Sequence, residues 1–190
     1  MIYIVRHGQT ALNKSHALQG RSDHPLNDAG FAQAREAAEK LRARGASFAR
    51  VYSSPLIRAV QTAQTVAPGL PVITDPRLIE MDYGPYEGMD LHALAPEVLT
   101  FFRDFVHNPA PEGMEQLADV VRRAGDFLEA LRVNAEGDIL ISTHAIAMKG
   151  LLEYLTPDSG GAYWSKNIGN CAVYAVENHG GRFGVPIEFV

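Results

Sequence analysis

Two arginines and two histidines of the sequence have the chemistry that transfer of a phosphoryl group requires. They are Arg6, His7, Arg58 and His144. A neutral imidazole is a usable nucleophile near neutral pH. A guanidinium group binds phosphate bidentately and keeps its charge at any physiological pH. His7, directly after Arg6, is therefore a candidate nucleophile, and Arg6, Arg58 and His144 are candidate donors to a phosphate.

A departing alkoxide also needs a proton, and two carboxyl groups are available to supply it. Glu80 and Asp82 lie in the same short segment, and residue type alone does not choose between them. A zinc site built from His7, His144 and Glu80 is the competing hypothesis. Arginines directed into one pocket would repel a cation, and no helix carries the two-histidine spacing of zinc enzymes. The sequence therefore favours chemistry without a metal or other cofactor.

These side chains follow short apolar runs that are predicted to be strands. Arg6 and His7 follow a strand at 2–5, Ser53 ends one at 48–53 with Ser54 directly after it, and His144 comes after one at 139–142. In open, mostly parallel sheets, ligands bind at the carboxyl ends of the strands. The candidate side chains are therefore expected to converge although they are far apart in the chain.

Helical periodicity alternates with these strands, which predicts an α/β layered fold. Asn27 or Asp28 is expected to cap one helix, and Pro55 to be the first residue of another. Arg122 and Arg123 are expected to face solvent on a long helix. The other predicted elements are a stop at Gly45, a strand at 72–74, helices at 114–131 and from 144 to about 155, and a terminal hairpin at 172–190.

The whole chain has the composition of an ordinary globular protein. Its 190 residues fit one domain, with 46% hydrophobic and 21% charged residues and a formal net charge of −5. That charge gives no basic surface for nucleic acid or an anionic membrane. No apolar run has the length of a membrane span, the start does not look like a signal peptide, and Cys171 is the single cysteine. A cytoplasmic enzyme is the expectation.

Five segments of the sequence, in order, resemble the histidine phosphatase (phosphoglycerate mutase-like) superfamily. They are Arg6-His7-Gly8-Gln9-Thr10 with Asn13, the run 19–26 with Gly30 and Gln33, the run 53–63, the run 78–88, and Thr143-His144-Ala145. The resemblance implies a three-layer sandwich with a mostly parallel central sheet and helices on both faces. It extends over one domain, 1–190, with a lid or specificity insertion at about 80–113.

The resemblance also implies a role for each matched residue. His7 would become phosphorylated and Glu80 would be the proton donor. The phosphate pocket and its entrance would be formed by Arg6, Asn13, Gln19, Gly20, Arg58, His144 and the backbone amide of Ala145. Two residues depart from the family pattern: Gln9 replaces a frequent glutamate, and Ala145 replaces a frequent glycine. The methyl group of Ala145 would crowd the phosphate if the turn needed a glycine conformation.

The substrate class is expected from the charge of the specificity region. Residues 81–121 contain one basic residue, Arg103, against eight acidic ones. This balance argues against a lid that binds phosphoglycerate or a bisphosphate. The prediction is a phosphatase of a small phosphorylated metabolite with an apolar or sugar-like body. A bisphosphoglycerate-dependent mutase and a catalytically silent binder of phosphorylated ligands are the alternatives. The lid region is expected to be more mobile than the sheet.

Overall fold

The computed structural model describes residues 1–132 and 137–189. A six-stranded sheet has the strand order β3-β2-β4-β1-β5-β8, and β6 and β7 form a separate two-stranded sheet. The strands are β1 (Ile2–Arg6), β2 (Phe48–Ser53), β3 (Val72–Thr74), β4 (Asp138–Thr143), β5 (Val173–Val176), β6 (Asn178–His179), β7 (Arg182–Phe183) and β8 (Ile187–Glu188).

The centre of the sheet is parallel, as predicted. β4 pairs in parallel with both β1 and β2, and β2 pairs in parallel with β3. β5 is antiparallel to β1 and to β8. The predicted terminal hairpin exists in two parts, the β5–β8 pair and the small β6–β7 ladder. Val190, at its predicted end, lies outside the described residues.

Helices cover both faces of the sheet, so the expected three-layer α/β architecture is confirmed. They are α1 (Ala11–Lys14), α2 (Asp28–Ala43), α3 (Ile57–Val66), α4 (Pro96–Arg103), α5 (Leu117–Arg132) and α6 (Ala145–Leu155). Side chains alternate along a strand. Ile2 and Ile4 therefore pack in one core cluster with α5 and α6, whereas Tyr3 and Val5 pack in another with residues of α2 and α3.

Three predicted helix boundaries can be compared with the structure. Of the two predicted caps of α2, Asn27 is the one that the structure uses, since its side chain accepts a hydrogen bond from Gly30 N. The prediction that Pro55 begins α3 is wrong by two residues, since the Asp23 carboxylate accepts from Ile57 N at 2.7 Å and fixes the first turn there. α5 begins at Leu117 and not at 114, because Glu115 N donates to the Asp82 carbonyl outside the helix.

The solvent-facing interpretation holds for Arg122 but is wrong for Arg123. Arg122 is largely exposed and pairs with Asp119. Arg123 is nearly buried, with its side chain 13% exposed, and pairs with Glu115. It also donates to the carbonyls of Arg77 and Ile79, so it holds the chain just before Glu80 against α5.

The segment 80–113 contains two short helices, the 3-10 turn Gly84–Tyr86 and α4. Its apolar side chains Met81, Tyr83, Val98 and Phe101 are buried in a third core cluster. None of the helices in the described part of the chain has the length and apolarity needed to cross a membrane.

Candidate active site

The ends of three adjacent strands place the two candidate histidines side by side. β1 leads into His7 and β4 leads into His144, while Ser54 follows β2 on the other side of β4. The centroids of the two imidazole rings are 5.1 Å apart. The chain therefore brings together at one edge of the sheet residues that are far apart in sequence.

His7 is a buried, neutral and oriented imidazole. Its Nδ1 lies 2.7 Å from the Gly8 carbonyl, which can only accept, so Nδ1 carries the proton and Nε2 has the free lone pair. Burial lowers the pKa of His7 well below its usual value, and the charges of Arg6 and Arg58 lower it further. Nε2 is therefore available as a nucleophile over a wide pH range.

The turn after His7 requires glycine because the backbone of α2 lies against it. A side chain on Gly8 would place its Cβ 2.4 Å from the Gly30 carbonyl oxygen. The Gly8 amide donates to Thr62 Oγ1 on α3 at 3.1 Å. This close approach fixes the carbonyl of Gly8, and that carbonyl in turn fixes the imidazole of His7.

Arg58 is completely buried on α3 and its guanidinium group is held by three acceptors. Nη1 donates to the Ser22 carbonyl at 2.7 Å and Nη2 to the Gly20 carbonyl at 2.6 Å, while Nε lies 3.2 Å from His144 Nδ1. Each terminal nitrogen retains a second N–H. Arg58 is therefore fixed in place and still has donors for an anion.

His144 is held at both ring nitrogens. Because Nδ1 accepts from Arg58, the proton is on Nε2, which donates to Ser54 Oγ at 2.7 Å. Burial lowers the pKa of His144 well below its usual value, and Arg58 adds to this effect. In this arrangement the neutral ring orients Arg58, and it has no free N–H for a phosphate.

Two buried N–H groups of the expected pocket have no hydrogen-bond partner within the described part of the chain. They are Nε of Arg6 and Nε2 of Gln19. Arg6 donates through Nη1 to the Ile168 carbonyl, and the Gln19 side-chain oxygen accepts from Thr10 Oγ1 at 2.7 Å. Buried donors in folded proteins are nearly always satisfied. An anion accepting from these groups would account for both exceptions.

Ala145 is the first residue of α6, and its amide, at the helix N-terminus, has no acceptor among residues 1–132 and 137–189. Among the described non-glycine residues, only His16 and Cys171 have positive φ. The conformation of Ala145 is therefore not one that requires glycine, and this departure from the family pattern introduces no backbone strain. Anions are stabilised at such helix N-termini.

Asn13 and Gly20 have structural partners beside the site. Asn13 closes the capping box of α1, where its side-chain oxygen accepts from Thr10 N. Its side-chain NH₂ remains available. A Cβ on Gly20 would lie 2.8 Å from the Met81 carbonyl oxygen, so only glycine fits where the entrance loop meets the segment 80–113.

Glu80 faces the site interior, whereas Asp82 faces outwards. Glu80 is 3% exposed and accepts from Met81 N and from two amides of the first turn of α6, Ile146 N and Ala147 N. The Asp82 side chain is 43% exposed and pairs with Arg21. The structure thus distinguishes Glu80 from Asp82 as the carboxyl group that faces the site, which residue type alone could not do. Arg21 does not pair with its near neighbour Asp23: it pairs with Asp82 and Glu115, and Asp23 accepts from the first amide of α3.

Glu87 anchors the loop on which Arg58 rests. One carboxylate oxygen accepts from Gly20 N at 2.8 Å and from the hydroxyl of Ser22, and the other accepts from Arg21 N. The same loop supplies both carbonyls that hold Arg58. The carboxylate of Glu87 therefore connects the segment 80–113 to the arginine of the site.

Two residues near the site, Asn170 and Lys149, were missed by the sequence analysis, and the role of Ser54 was not foreseen. Asn170 donates to the His7 carbonyl at 3.0 Å, and Ser54 accepts from His144. Lys149 is buried in α6 with its Nζ 2.7 Å from the Trp164 carbonyl. A signal existed for Lys149, since a single basic residue interrupts an otherwise apolar first half of the helix. Asn170 lies in a loop with no pattern to mark it.

In the described ranges 1–132 and 137–189, no three His, Cys, Asp or Glu side chains come together as a metal site would require. The charged groups that converge on the pocket are instead the guanidinium groups of Arg6 and Arg58. Burial lowers the pKa of each arginine, and the Glu80 carboxylate opposes that shift.

A three-layer α/β fold with a histidine between two arginines at the strand ends defines a histidine phosphatase type of protein. The family model described as "Histidine phosphatase superfamily (branch 1)" matches residues 2–186. The chain belongs to this superfamily.

Known relatives include mutases and phosphatases. The probable phosphoglycerate mutase GpmB of Yersinia pestis is 33% identical over 183 residues, which cover 93% of this chain and 84% of that protein. A mycobacterial glucosyl-3-phosphoglycerate phosphatase is 26% identical, with a TM-score of 0.85 over 99% of this chain and 98% of that one. A phosphoserine phosphatase from Entamoeba histolytica shares the fold, with a TM-score of 0.82, 24% identity, and coverage of 100% and 94%.

Proposed function

We propose that this protein is a phosphomonoester hydrolase that forms a phosphohistidine intermediate on His7. The observation that carries the proposal is the state of that side chain. His7 is neutral, its Nδ1–H is fixed by the Gly8 carbonyl, and its Nε2 lone pair is free beside two guanidinium groups. Positioning and charge stabilisation are most of what phosphoryl transfer requires of a protein.

In the first step, His7 Nε2 attacks phosphorus and the ester P–O bond breaks. Arg6, Arg58, the Asn13 side-chain amide, Gln19 Nε2 and the Ala145 amide stabilise the equatorial oxygens. Glu80, in its protonated form, gives its proton to the departing alkoxide, and the product alcohol leaves. The three amides that contact Glu80 hold the carboxyl group in place during this transfer.

In the second step, water attacks the phosphohistidine. The Glu80 carboxylate accepts a proton from the water, an O–P bond forms and the N–P bond breaks. Inorganic phosphate leaves, His7 is neutral again and Glu80 is protonated again. In this proposal His144 orients Arg58 rather than reacting, because both of its ring nitrogens have partners in the free enzyme.

We further propose that no metal takes part and that the segment 80–113 is the specificity insertion of a single domain. Arginines that face one pocket favour an anion and oppose a cation. The segment 80–113 contributes Glu80 to the site and Glu87 to the entrance loop, so its position determines the shape of the opening.

A mutase is the second candidate, because GpmB of Yersinia pestis is named as a probable phosphoglycerate mutase. It would share the phosphohistidine step but return the phosphoryl group to a phosphorylated acid. A silent phosphate binder is the third. A binder has no need of a buried carboxyl group beside the phosphate, so the position of Glu80 favours an enzyme.

Hydrolysis of p-nitrophenyl phosphate in excess EDTA tests the proposal. We expect turnover by the wild type and by the control His179→Ala, whose histidine is on the exposed β6–β7 hairpin, and none by His7→Ala. Turnover that EDTA abolishes would contradict metal independence. No turnover with any phosphomonoester would support the binder. A separate assay with phosphoglycerate and its bisphosphate measures mutase activity.

A further inference from the structure

The carboxylate of Glu115 holds two arginines that come from different parts of the chain. Its Oε1 accepts from Arg123 Nε at 2.8 Å, and its Oε2 accepts from Arg123 Nη2 and from Arg21 Nη2, each at 3.2 Å. Arg123 is on α5, whereas Arg21 is in the entrance loop 20–22. One nearly buried carboxylate therefore joins that loop to a helix.

Both arginines also hold the backbone at Glu80, the proposed proton donor. Arg123 Nη1 donates to the Ile79 carbonyl at 2.5 Å, and Arg21 Nε lies 3.4 Å from the carbonyl oxygen of Glu80 itself. These two carbonyls are on either side of the Glu80 Cα. The two guanidinium groups that Glu115 holds therefore fix the chain before and after the point from which the Glu80 side chain extends.

Glu115 contacts the next part of the same segment directly. Its Oε2 accepts from Asp82 N at 3.2 Å, and its own amide donates to the Asp82 carbonyl at 2.9 Å. The Glu80 carboxylate, by contrast, has only backbone amides as hydrogen-bond partners within the described residues. The position of the Glu80 carboxyl group therefore depends on the course of its backbone, which Glu115 holds directly at Asp82 and indirectly at 79–80.

A gain in stability is a weak explanation for this arrangement. The Glu115 and Arg123 side chains are 12% and 13% exposed, and removal of two charges from water has a cost that can exceed the attraction between them. A guanidinium group does fix geometry, because its donors form a rigid planar fork. Geometry is what a general acid needs, since it must lie within hydrogen-bond reach of the atom that it protonates.

We propose that Glu115 is a positioning residue for Glu80. Through Arg21 and Arg123, its carboxylate sets the distance between the Glu80 carboxyl group and the ester oxygen that leaves. The proposal rests on the proposed function and adds to it a residue that does not touch the substrate. Glu115 is therefore expected to affect the first step to the extent that the leaving group needs a proton.

Two aryl phosphates measure this dependence. Phenyl phosphate and p-nitrophenyl phosphate have similar shapes, but phenolate is the more basic leaving group and needs the proton more. The leaving-group ratio is kcat/KM for phenyl phosphate divided by kcat/KM for p-nitrophenyl phosphate. Glu115→Gln preserves the shape of the side chain and removes its charge, and we expect it to lower this ratio about tenfold. An unchanged ratio, or an equal fall for both substrates, would overturn the proposal.

Glu112→Gln is the matched control, because Glu112 is exposed just before Glu115 and the change in charge is the same. It should keep the wild-type ratio, and a fall as large as that of Glu115→Gln would show a general effect of charge and overturn the proposal. If Glu115→Gln does not fold, Arg21→Gln tests the same link, since the Arg21 side chain is 41% exposed and the pair of Arg123 with Glu115 stays in place. This variant should lower the ratio about threefold, and a wild-type ratio would contradict the role of Glu115.

A double mutant shows whether Glu115 acts through Glu80. In Glu80→Gln the proton donor is already absent, so the addition of Glu115→Gln should change the ratio by less than about twofold. A further fall of about tenfold would mean that Glu115 acts independently of Glu80, and the assignment as a positioning residue would be wrong.

The same measurements separate this proposal from the proposed function. If His7→Ala abolishes turnover and Glu80→Gln lowers the ratio while Glu115→Gln does not, only the role of Glu115 is wrong. If Glu80→Gln leaves the ratio unchanged, Glu80 is not the proton donor and both proposals fail.

Discussion

At the scale of single residues, the charge of the pocket explains why His7 is neutral. Two guanidinium groups lie beside the ring, and the ring is buried, so a proton on Nε2 would be costly. The same guanidinium groups that would bind the phosphate therefore also keep the nucleophile free of its proton. A single substitution of either arginine would weaken both effects.

The substitution Glu80→Gln is predicted to slow hydrolysis by an amount that depends on whether the leaving group needs a proton. Without a proton donor, hydrolysis of alkyl phosphates should fall by about 10²–10⁴. Formation of the intermediate from p-nitrophenyl phosphate should fall much less, because a nitrophenolate leaves without a proton. Presteady-state and steady-state rates for the two substrate types measure the difference.

Asp82→Asn is the matched control for this substitution, because Asp82 faces outwards and pairs with Arg21. We expect its rates to stay within a few-fold of wild type for both substrates. If Asp82→Asn showed the leaving-group dependence and Glu80→Gln did not, the assignment of the acid would be wrong.

The nucleophile was identifiable from sequence, but the orientation of its partners was not. Arg6, His7, Arg58 and His144 stand out because their types and their places after predicted strands agree. The partners of His144 depend on how α3 packs against β4, which no local pattern specifies. For the same reason the nearly buried ion pair of Arg123 with Glu115, and the exposed one of Arg21 with Asp82, could not be predicted from sequence.

At the scale of elements, the entrance loop 20–22 links the carboxylate of Glu87 to the guanidinium group of Arg58. Its carbonyls fix Arg58, and its amides are fixed by Glu87. The loop has no regular secondary structure of its own. Its order therefore depends on side-chain hydrogen bonds between two distant segments.

Glu87→Ala is predicted to loosen Arg58 although the two side chains do not touch. Three backbone amides and a hydroxyl would lose their acceptor, at a cost of about 1–3 kcal/mol in the free energy of unfolding. KM for any phosphomonoester should rise because the guanidinium group is less well held. Chemical denaturation and steady-state kinetics measure the two effects.

Glu97→Ala is the control for that substitution, since Glu97 is on α4 and its one side-chain hydrogen bond within the described residues is from the Tyr86 hydroxyl at 3.3 Å. It should change stability and KM little. Wild-type KM in Glu87→Ala would contradict the view that the loop supports Arg58.

Element boundaries show where sequence periodicity stops being informative. The cap at Asn27 was predicted because its residue type has a local meaning. The starts of α3 and α5 were predicted too early, because Asp23 and the Asp82 carbonyl decide them from far along the chain. The periodicity of apolar residues identifies the buried face of a helix, whereas hydrogen bonds to residues distant in sequence decide where the helix begins.

At the scale of the whole molecule, the strand order places a polar site between two apolar layers. β1 and β4 are buried on both faces, so the side chains at their ends are removed from water by the layers above and below. Burying two histidines in this way couples folding to pH. Their pKa values are lowered in the folded state, so below about pH 6.5 the unfolded chain binds more protons.

The free energy of unfolding is therefore predicted to fall as the pH is lowered from 6.5 to 5.5. Each buried histidine should contribute a loss of about 1 kcal/mol over this range, with a slope that approaches about 1.4 kcal/mol per pH unit at its lower end, and its full stabilising contribution is present above that range. Lys149, with a pKa of about 8, titrates outside this window. Urea denaturation at a series of pH values should give a shallower slope for His7→Asn, and identical slopes would contradict the prediction.

The central claim is the covalent intermediate, and trapping it is the most direct test. Wild-type protein mixed with a phosphomonoester, quenched in base and digested should yield the peptide containing His7 with one phosphoryl group. That modification should be labile in acid, accumulate in Glu80→Gln with p-nitrophenyl phosphate, and be absent from His7→Ala. A phosphoryl group on Ser54 or on a carboxylate, or undiminished turnover by His7→Ala, would contradict the mechanism.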